Sequence, residues 1–360
     1  MQLLRGYAPR TQEDTPTQAA TQSCVLTVKE IIDLGMHGKS LLRLCDIEDW
    51  QMLGLVNAAI ALKARKKAGL HLENPLIKGK NVALIFQKSS TRTRCSTVNA
   101  VRDEGGHAEY LGKNDIHFGK KESVKDSARV LGRLFDGILF RGFEQKTVED
   151  LAEYSGVPVW NGLTDQWHPT QVLADLQTVQ EHFGTLKGLT LAFVGDGRNN
   201  VCNSLMVGCA KAGVNMVDVC PEELAPEPTL VEYCRKIAKA NGSDVIVTHD
   251  PVDGVKGVNV LYTDVWVSMG EEELFQQRLK LLSPFQIDMA MCERTGNLKN
   301  GRLMFLHCLP AFHDNNTEVS SEVGAMEVSD EVFEAPFSKV FDEAENRMHT
   351  IKAMILASLL

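Results

Sequence analysis

The sequence predicts an α/β protein made of two doubly wound parallel-sheet domains with the active site between them. Three observations carry this expectation. Short apolar runs alternate with helical stretches, the alternation starts twice, and one long helix separates the two series. At 360 residues the chain also exceeds the usual single domain of ~100–200 residues.

Residues 1–24 contain Arg5, Arg10, Glu13 and Asp14 and no apolar core long enough for a secretory signal. The two acidic residues count against a transit peptide, so the segment reads as a flexible leader. The first domain is expected over 25–167. In it, Asp46 can cap a helix that keeps helical apolar spacing to Lys67 and stops at Gly69. Strands are expected at 82–86, 108–111, 137–140 and 157–160, with helices such as 125–135 and 148–154 between them. A helix over 169–183, ended by Gly184, opens the second domain (168–342). Its strands are expected at 189–194, 214–219, 244–248, 258–262 and 303–306. The closing segment, 343–360, reads as a helix and is assigned to the first domain. In open parallel sheets ligands sit beyond the carboxyl ends of the strands, and the informative motifs all follow strands.

Composition narrows the function. A formal net charge of −9 argues against a nucleic-acid surface, which needs clustered Lys and Arg in excess. Nine cysteines without a CxxC pair indicate neither a zinc site nor a disulfide framework. No apolar run of about 18 residues exists to span a membrane. The expectation is a cytoplasmic protein with no metal and no cofactor.

The segment Phe86-Gln87-Lys88-Ser89-Ser90-Thr91-Arg92-Thr93-Arg94 follows an expected strand and opens a helix. A helix N-terminus presents free N–H groups and partial positive charge, so hydroxyls and an Arg placed there can cradle a phosphate. At ~100° per residue Arg92 and Arg94 point about 200° apart, which assigns Arg92 to the ligand and Arg94 to structure. Taken alone, the same residues fit a Ser/Thr cap followed by surface arginines.

In His168-Pro169-Thr170-Gln171, Pro takes the first helical position and His168 and Gln171 share a face. A neutral imidazole and a carboxamide suit a carbonyl and an NH2 group; a capping His with no ligand is the alternative. His307-Cys308-Leu309-Pro310 ends a strand, where Pro frees nearby carbonyls and makes Leu309–Pro310 a candidate cis bond. Cys308 in such a place is more often a buried thiol than a catalytic one. Asp264 can pair with an ammonium, and the Ser268-Met269-Gly270 turn offers backbone donors, unless this is an ordinary strand-to-helix loop. Gly195-Asp196-Gly197-Arg198-Asn199-Asn200 resembles a dinucleotide fingerprint but carries Asn200 at the third glycine, so nicotinamide binding is discounted.

Ser-Thr-Arg-Thr-Arg (90–94), His-Pro-Thr-Gln (168–171), Asp-Val-Trp-Val-Ser-Met-Gly (264–270) and His-Cys-Leu-Pro (307–310), in this order, resemble the ornithine carbamoyltransferase family. Segments 127–133 and 342–350 resemble it too, and the likeness runs from about residue 25 to the C-terminus. Aspartate carbamoyltransferases share the first, second and fourth motifs in looser form. The resemblance implies that Ser90, Thr91, Arg92 and Thr93 hold the phosphate of carbamoyl phosphate, with Arg141 and Arg347 adding charge. His168 and Thr93 would polarise the carbonyl; Gln171 and the Leu309 carbonyl would hold the amide nitrogen. Asn200 and the Ser268–Met269 backbone would bind the ornithine carboxylate, Asp264 its α-ammonium, and Cys308 would neighbour the side-chain amine. The resemblance further implies a homotrimer, or a multiple of trimers, in which His117 reaches a neighbour's carbamoyl phosphate. One departure is Gln87, where the family usually carries Glu, so that Lys88 loses a possible partner.

The expected reaction gives citrulline and phosphate, through attack of a neutral side-chain amine on the carbonyl. Rival readings are a carbamoyltransferase for another amine such as putrescine or aspartate, a catalytically silent relative, and a nicotinamide dehydrogenase. Asp264 with the Ser-Met-Gly turn opposes the first, the presence of Arg92, Arg141, His168 and Arg347 the second, and Asn200 the third.

Overall fold

The computed structural model describes residues 28–360 apart from 117, 119–120, 268–271 and 318–319. The leader and the site assignments of His117, Ser268 and Met269 therefore lie outside the described residues. The two-sheet α/β architecture is as expected. Sheet one holds β1 (Asn81–Phe86), β2 (His107–Leu111), β3 (Gly137–Arg141) and β4 (Val159–Leu163), in spatial order β2-β1-β3-β4. Sheet two holds β5 (Thr190–Val194), β6 (Asn215–Val219), β7 (Val245–Thr248), β8 (Val260–Thr263) and β9 (Met304–His307), in order β7-β6-β5-β8-β9. Every pairing is parallel. Strands covered on both faces need apolar residues at every position, and β1, β3, β5 and β8 are buried nearly throughout.

The helices used below are α1 (Asp49–Lys67), α2 (Thr91–Asp103), α3 (Val124–Leu134), α4 (Gln145–Ser155), α5 (Pro169–Phe183) and α6 (Asn200–Ala212). They continue with α7 (Pro228–Asn241), α8 (Phe275–Leu282), α9 (Met289–Arg294) and, after two short turns, the terminal α10 (Val340–Leu359). The α5 helix starts at Pro169 and ends at Gly184, whose φ of 74° is the left-handed conformation that a C-terminal glycine adopts without strain.

Two local expectations need correction. Asp46 does not cap α1; it closes a short 3-10 turn by accepting from the Arg43 backbone N–H at 3.0 Å, and α1 begins at Asp49 behind Glu48. The strand expected at 157–160 instead runs Val159–Leu163, because Pro158 has no N–H for the ladder and pairing starts with Ile138 opposite Val159.

The largest apolar core packs α1, α5, α6 and α10 between the two sheets, with Trp160, Leu176, Leu205 and Ile355 all buried in it. Smaller cores cover the outer faces of sheet one and sheet two. The terminal helix rests on α1, α2 and α5. Buried charges tie it there: Lys352 meets Asp103 at 2.9 Å and Glu104 at 3.2 Å, while Arg65 of α1 holds Glu104 at 2.8 Å. Removing one partner of such a group would strand the others without water, so these contacts specify the seating of α10.

This topology places the site. The strand order of sheet one reverses between β1 and β3, and that of sheet two between β5 and β8; the crevices at such switch points open at the carboxyl ends of the strands. Register sets Phe86 beside Arg141, so the loop entering α2 and the Arg141 side chain emerge together.

Candidate active site

A cleft of about 1250 Å³ lies between these two crevices. On its first wall Ser90 caps α2, its hydroxyl accepting from the Thr93 N–H at 3.2 Å. Arg92 projects from the first turn into the cleft, while Arg94 lays its guanidinium over the Tyr110 ring at 3.7 Å, although it too reaches the cleft edge. Thr93 is the point where three elements meet. Its hydroxyl receives Arg347 of α10 at 3.2 Å and, at the long limit of 3.5 Å, Arg141 of β3.

Three guanidiniums thus share one wall. Burial and the charges of Arg347 and Arg92 lower Arg141 to about 10. Arg347 is likewise lowered to about 10, by burial first. Both stay charged at neutral pH, and an anion among them would relieve their repulsion. His168 is 4% exposed, and burial together with Arg347, Arg141 and Arg92 holds its pKa far below the usual imidazole value. It is a neutral ring at the base of the cleft, with its backbone N–H tied to Ser204 at 2.8 Å.

Gln171 does not line the cleft. Its NH2 donates to Asp175 at 2.8 Å and Glu343 at 2.6 Å, and its carbonyl receives Arg347, so it stands one layer behind His168.

The second wall carries Asp264, Cys308 and the loop into α6. Asp264 accepts from the Val265 N–H at 2.8 Å, from Asn199 Nδ2 at 3.0 Å and from the Cys308 thiol at 3.0 Å. Burial, then the Asp264 charge, raises the Cys308 thiol well above its usual pKa. The protonated thiol is a donor, not a thiolate nucleophile. Leu309 has φ 58° and a cis bond to Pro310, and its carbonyl accepts from Arg92 Nη2 at 2.5 Å. Asn200 faces the cleft and donates to the Thr164 carbonyl at 2.6 Å.

Several cleft residues escaped the sequence reading. Asn199, not Asn200, caps α6, its side chain accepting from the Val201 N–H at 2.7 Å and steadying Asp264. Asn-Asn ahead of an apolar helix was the available signal, but it left the two asparagines interchangeable. Asp196 and Arg278 pair at 2.5 Å across the entrance between the β5 loop and α8, and no local pattern joins them. The Gln87 departure also resolves: Lys88 pairs with Asp165 at 2.6 Å and covers the Phe143 ring, while Gln87 accepts from the Phe143 N–H at 3.3 Å. As for a dinucleotide, the acidic residue ending β6, Asp218, is 0% exposed. A Cβ on Gly197 would come within 2.5 Å of it, so no ribose reaches that carboxyl.

A cationic wall facing a carboxylate across one cleft can bring an anionic donor to an amine acceptor, as a group-transfer enzyme requires. Family comparison gives the class its name. Residues 39–181 match the aspartate/ornithine carbamoyltransferase carbamoyl-P binding domain and residues 187–358 the Asp/Orn binding domain, so the chain belongs to this family. It is 55% identical over 329 residues to the catabolic ornithine carbamoyltransferase of Enterococcus faecalis, covering 90% of this chain and 96% of that protein. The Bacillus licheniformis catabolic ornithine carbamoyltransferase is 52% identical over 332 residues, covering 91% and 98%. Among solved structures, ornithine carbamoyltransferase from Pyrococcus furiosus superposes with a TM-score of 0.82 at 39% identity, covering 90% of this chain and 98% of that one.

Proposed function

We propose that this chain is an enzyme that transfers the carbamoyl group of carbamoyl phosphate to the side-chain amine of L-ornithine, giving L-citrulline and phosphate. The observation that carries this reading is the division of one cleft into a wall of Arg92, Arg141 and Arg347 and a facing wall of Asp264 and Cys308. Phosphate sits at the N-terminus of α2 among Ser90, Thr91, Arg92 and Thr93, where free N–H groups and guanidiniums converge. Asp264 takes the α-ammonium of ornithine. Asn200 and the Ser268–Met269 backbone take its carboxylate. His117 of a neighbouring subunit completes the phosphate site in a homotrimer, and the enzyme works in the cytoplasm. Among the described residues no helix is long and apolar enough to cross a membrane.

The chain divides as carbamoyl-phosphate domain 25–167 with 343–360, and ornithine domain 168–342. A side-chain amine has a pKa of about 10.4 in water, and the guanidiniums and the dry cleft favour its neutral form. Its lone pair forms the new C–N bond. The carbonyl becomes an oxyanion facing Arg141, Thr93 and His168, and preorganised donors of this kind are worth ~3–4 kcal/mol each. The carbon–oxygen bond to phosphate then breaks, and the leaving phosphate accepts the amine proton. The Leu309 carbonyl steadies the carbamoyl nitrogen, for which phosphate must draw Arg92 off it, while Gln171, one layer back, holds Arg347 in place.

The deciding assay compares carbamoylation of ornithine, putrescine and aspartate. Ornithine is expected to exceed putrescine in kcat/KM by about tenfold or more, since putrescine leaves the carboxylate and ammonium partners unpaired in a closed site. Equal efficiency on putrescine would overturn the substrate assignment. The shared site is tested by subunit mixing. Arg92→Leu and His117→Ala proteins, each inactive, are expected to regain activity when dissociated and reassociated together. Failure of every hybrid to recover would remove His117 from the neighbour's site.

A further inference from the structure

One layer behind the cleft, two carboxyl groups are buried together. Asp175 of α5 is 0% exposed and Glu343 of α10 is 1% exposed. Both accept from the single NH2 of Gln171, at 2.8 and 2.6 Å. Glu343 accepts two further donors, the Tyr262 hydroxyl at 3.2 Å and the His307 backbone N–H at 3.0 Å. Its oxygens are thus served from α5, β8 and β9. Among the described residues Asp175 Oδ2 has no hydrogen-bond partner, although the two carboxyls lie within hydrogen-bonding reach of each other.

The charge count around them is small. Tyr262 of β8 and Cys209 of α6 face the pair, and burial raises both, so both are neutral at neutral pH. His168 is neutral as well. Arg347 is the cation beside the pair; Arg92, Asp264 and Cys308 act on this group from the cleft side. Two carboxylates against one guanidinium would leave an uncompensated buried charge, whereas one proton leaves a matched carboxylate and guanidinium. Burial pushes both carboxyls upward, as expected for two acids in one dry site.

We propose that Asp175 and Glu343 hold one proton between them, carried on Asp175 Oδ2, and that this pair positions Gln171 and Arg347 for the reaction. The inference rests on the function proposed above. Its working part is the orientation of Gln171. With both carboxyls gripping the NH2, the carboxamide oxygen must point at Arg347, which in turn reaches Thr93 and His168. A second negative charge would draw the Arg347 guanidinium back toward the acids and away from the cleft. Asp175 and Glu343 are therefore positioning residues that touch no substrate.

The two acids predict unlike responses to amide substitution. Asp175→Asn supplies one donor and one acceptor, as the protonated acid does, and is expected to retain most of the wild-type turnover. Glu343→Gln must turn an NH2 toward either Gln171 Nε2 or the His307 N–H, and is expected to lose about tenfold to a hundredfold in kcat/KM for carbamoyl phosphate. Infrared spectra of the full-length protein at neutral pH should show a protonated-carboxyl C=O band that Asp175→Asn removes. A missing band, or an Asp175→Asn protein as impaired as Glu343→Gln, would overturn the proposal. If Glu343→Gln does not fold, the band and the Asp175→Asn rate decide the matter. The outcomes separate from the function itself: a band with no citrulline formed by wild type refutes the activity and leaves the pair, while citrulline without the band does the reverse.

Discussion

Arg92→Leu is expected to lower kcat/KM for carbamoyl phosphate by about 10²–10⁴-fold, the loss of a two-pronged charged contact to phosphate, while the protein still folds. The fold should survive because, among the described residues, Arg92 is held by one hydrogen bond, to the Leu309 carbonyl, and stands in the first turn of α2. By contrast, Arg347 is buried and joined to Thr93, Thr170, Gln171 and His168, so its removal would damage the core as well. Steady-state kinetics with a thermal melt in parallel checks the prediction. A variant that melts like wild type and keeps near-normal kcat/KM would move the phosphate elsewhere.

Asp264→Ala is expected to raise the KM for ornithine by about 10²–10³-fold, as removal of a charged hydrogen-bond acceptor from a partly buried ammonium should. The KM for carbamoyl phosphate should change little, because Asp264 stands on the opposite wall. A second readout follows from the thiol. The Asp264 charge helps to raise the pKa of Cys308, so its loss should lower that pKa and speed alkylation of Cys308 by iodoacetamide at mildly alkaline pH. Equal loss of affinity for both substrates, with unchanged thiol reactivity, would show that Asp264 acts through the fold rather than on the ammonium.

How far the site was legible depends on how local each signal is. The phosphate cradle lies within one turn of α2, and the helical period alone separates Arg92 from Arg94. The start of α5 at Pro169 and its stop at Gly184 follow from the same short-range rules. Where two local solutions compete, the reading slipped. Asp46 and Glu48 both offer a carboxylate ahead of α1, and the Arg43 contacts of Asp46 decided between them. Asn199 went unread: it caps α6, and its side chain is fixed by Asp264 from across the sheet.

The periodicity of apolar residues, the caps and the strand-ending motifs by themselves determined two parallel-sheet domains and the identity of the cationic and acidic residues at their strand ends. Those signals act over a turn or a strand, where chain geometry is set by neighbours. What only the tertiary structure decided is which of those residues meet. Arg347 reaches Thr93 across 254 residues of sequence, and Glu343 reaches Gln171 across 172. Those meetings exist because α10 packs back on α2 and α5, a seating that depends on burying the faces of several elements at once and on matching Lys352 and Arg65 with Asp103 and Glu104. No short stretch of chain contains that balance of apolar burial and paired charge, so it is settled only when both domains are folded together.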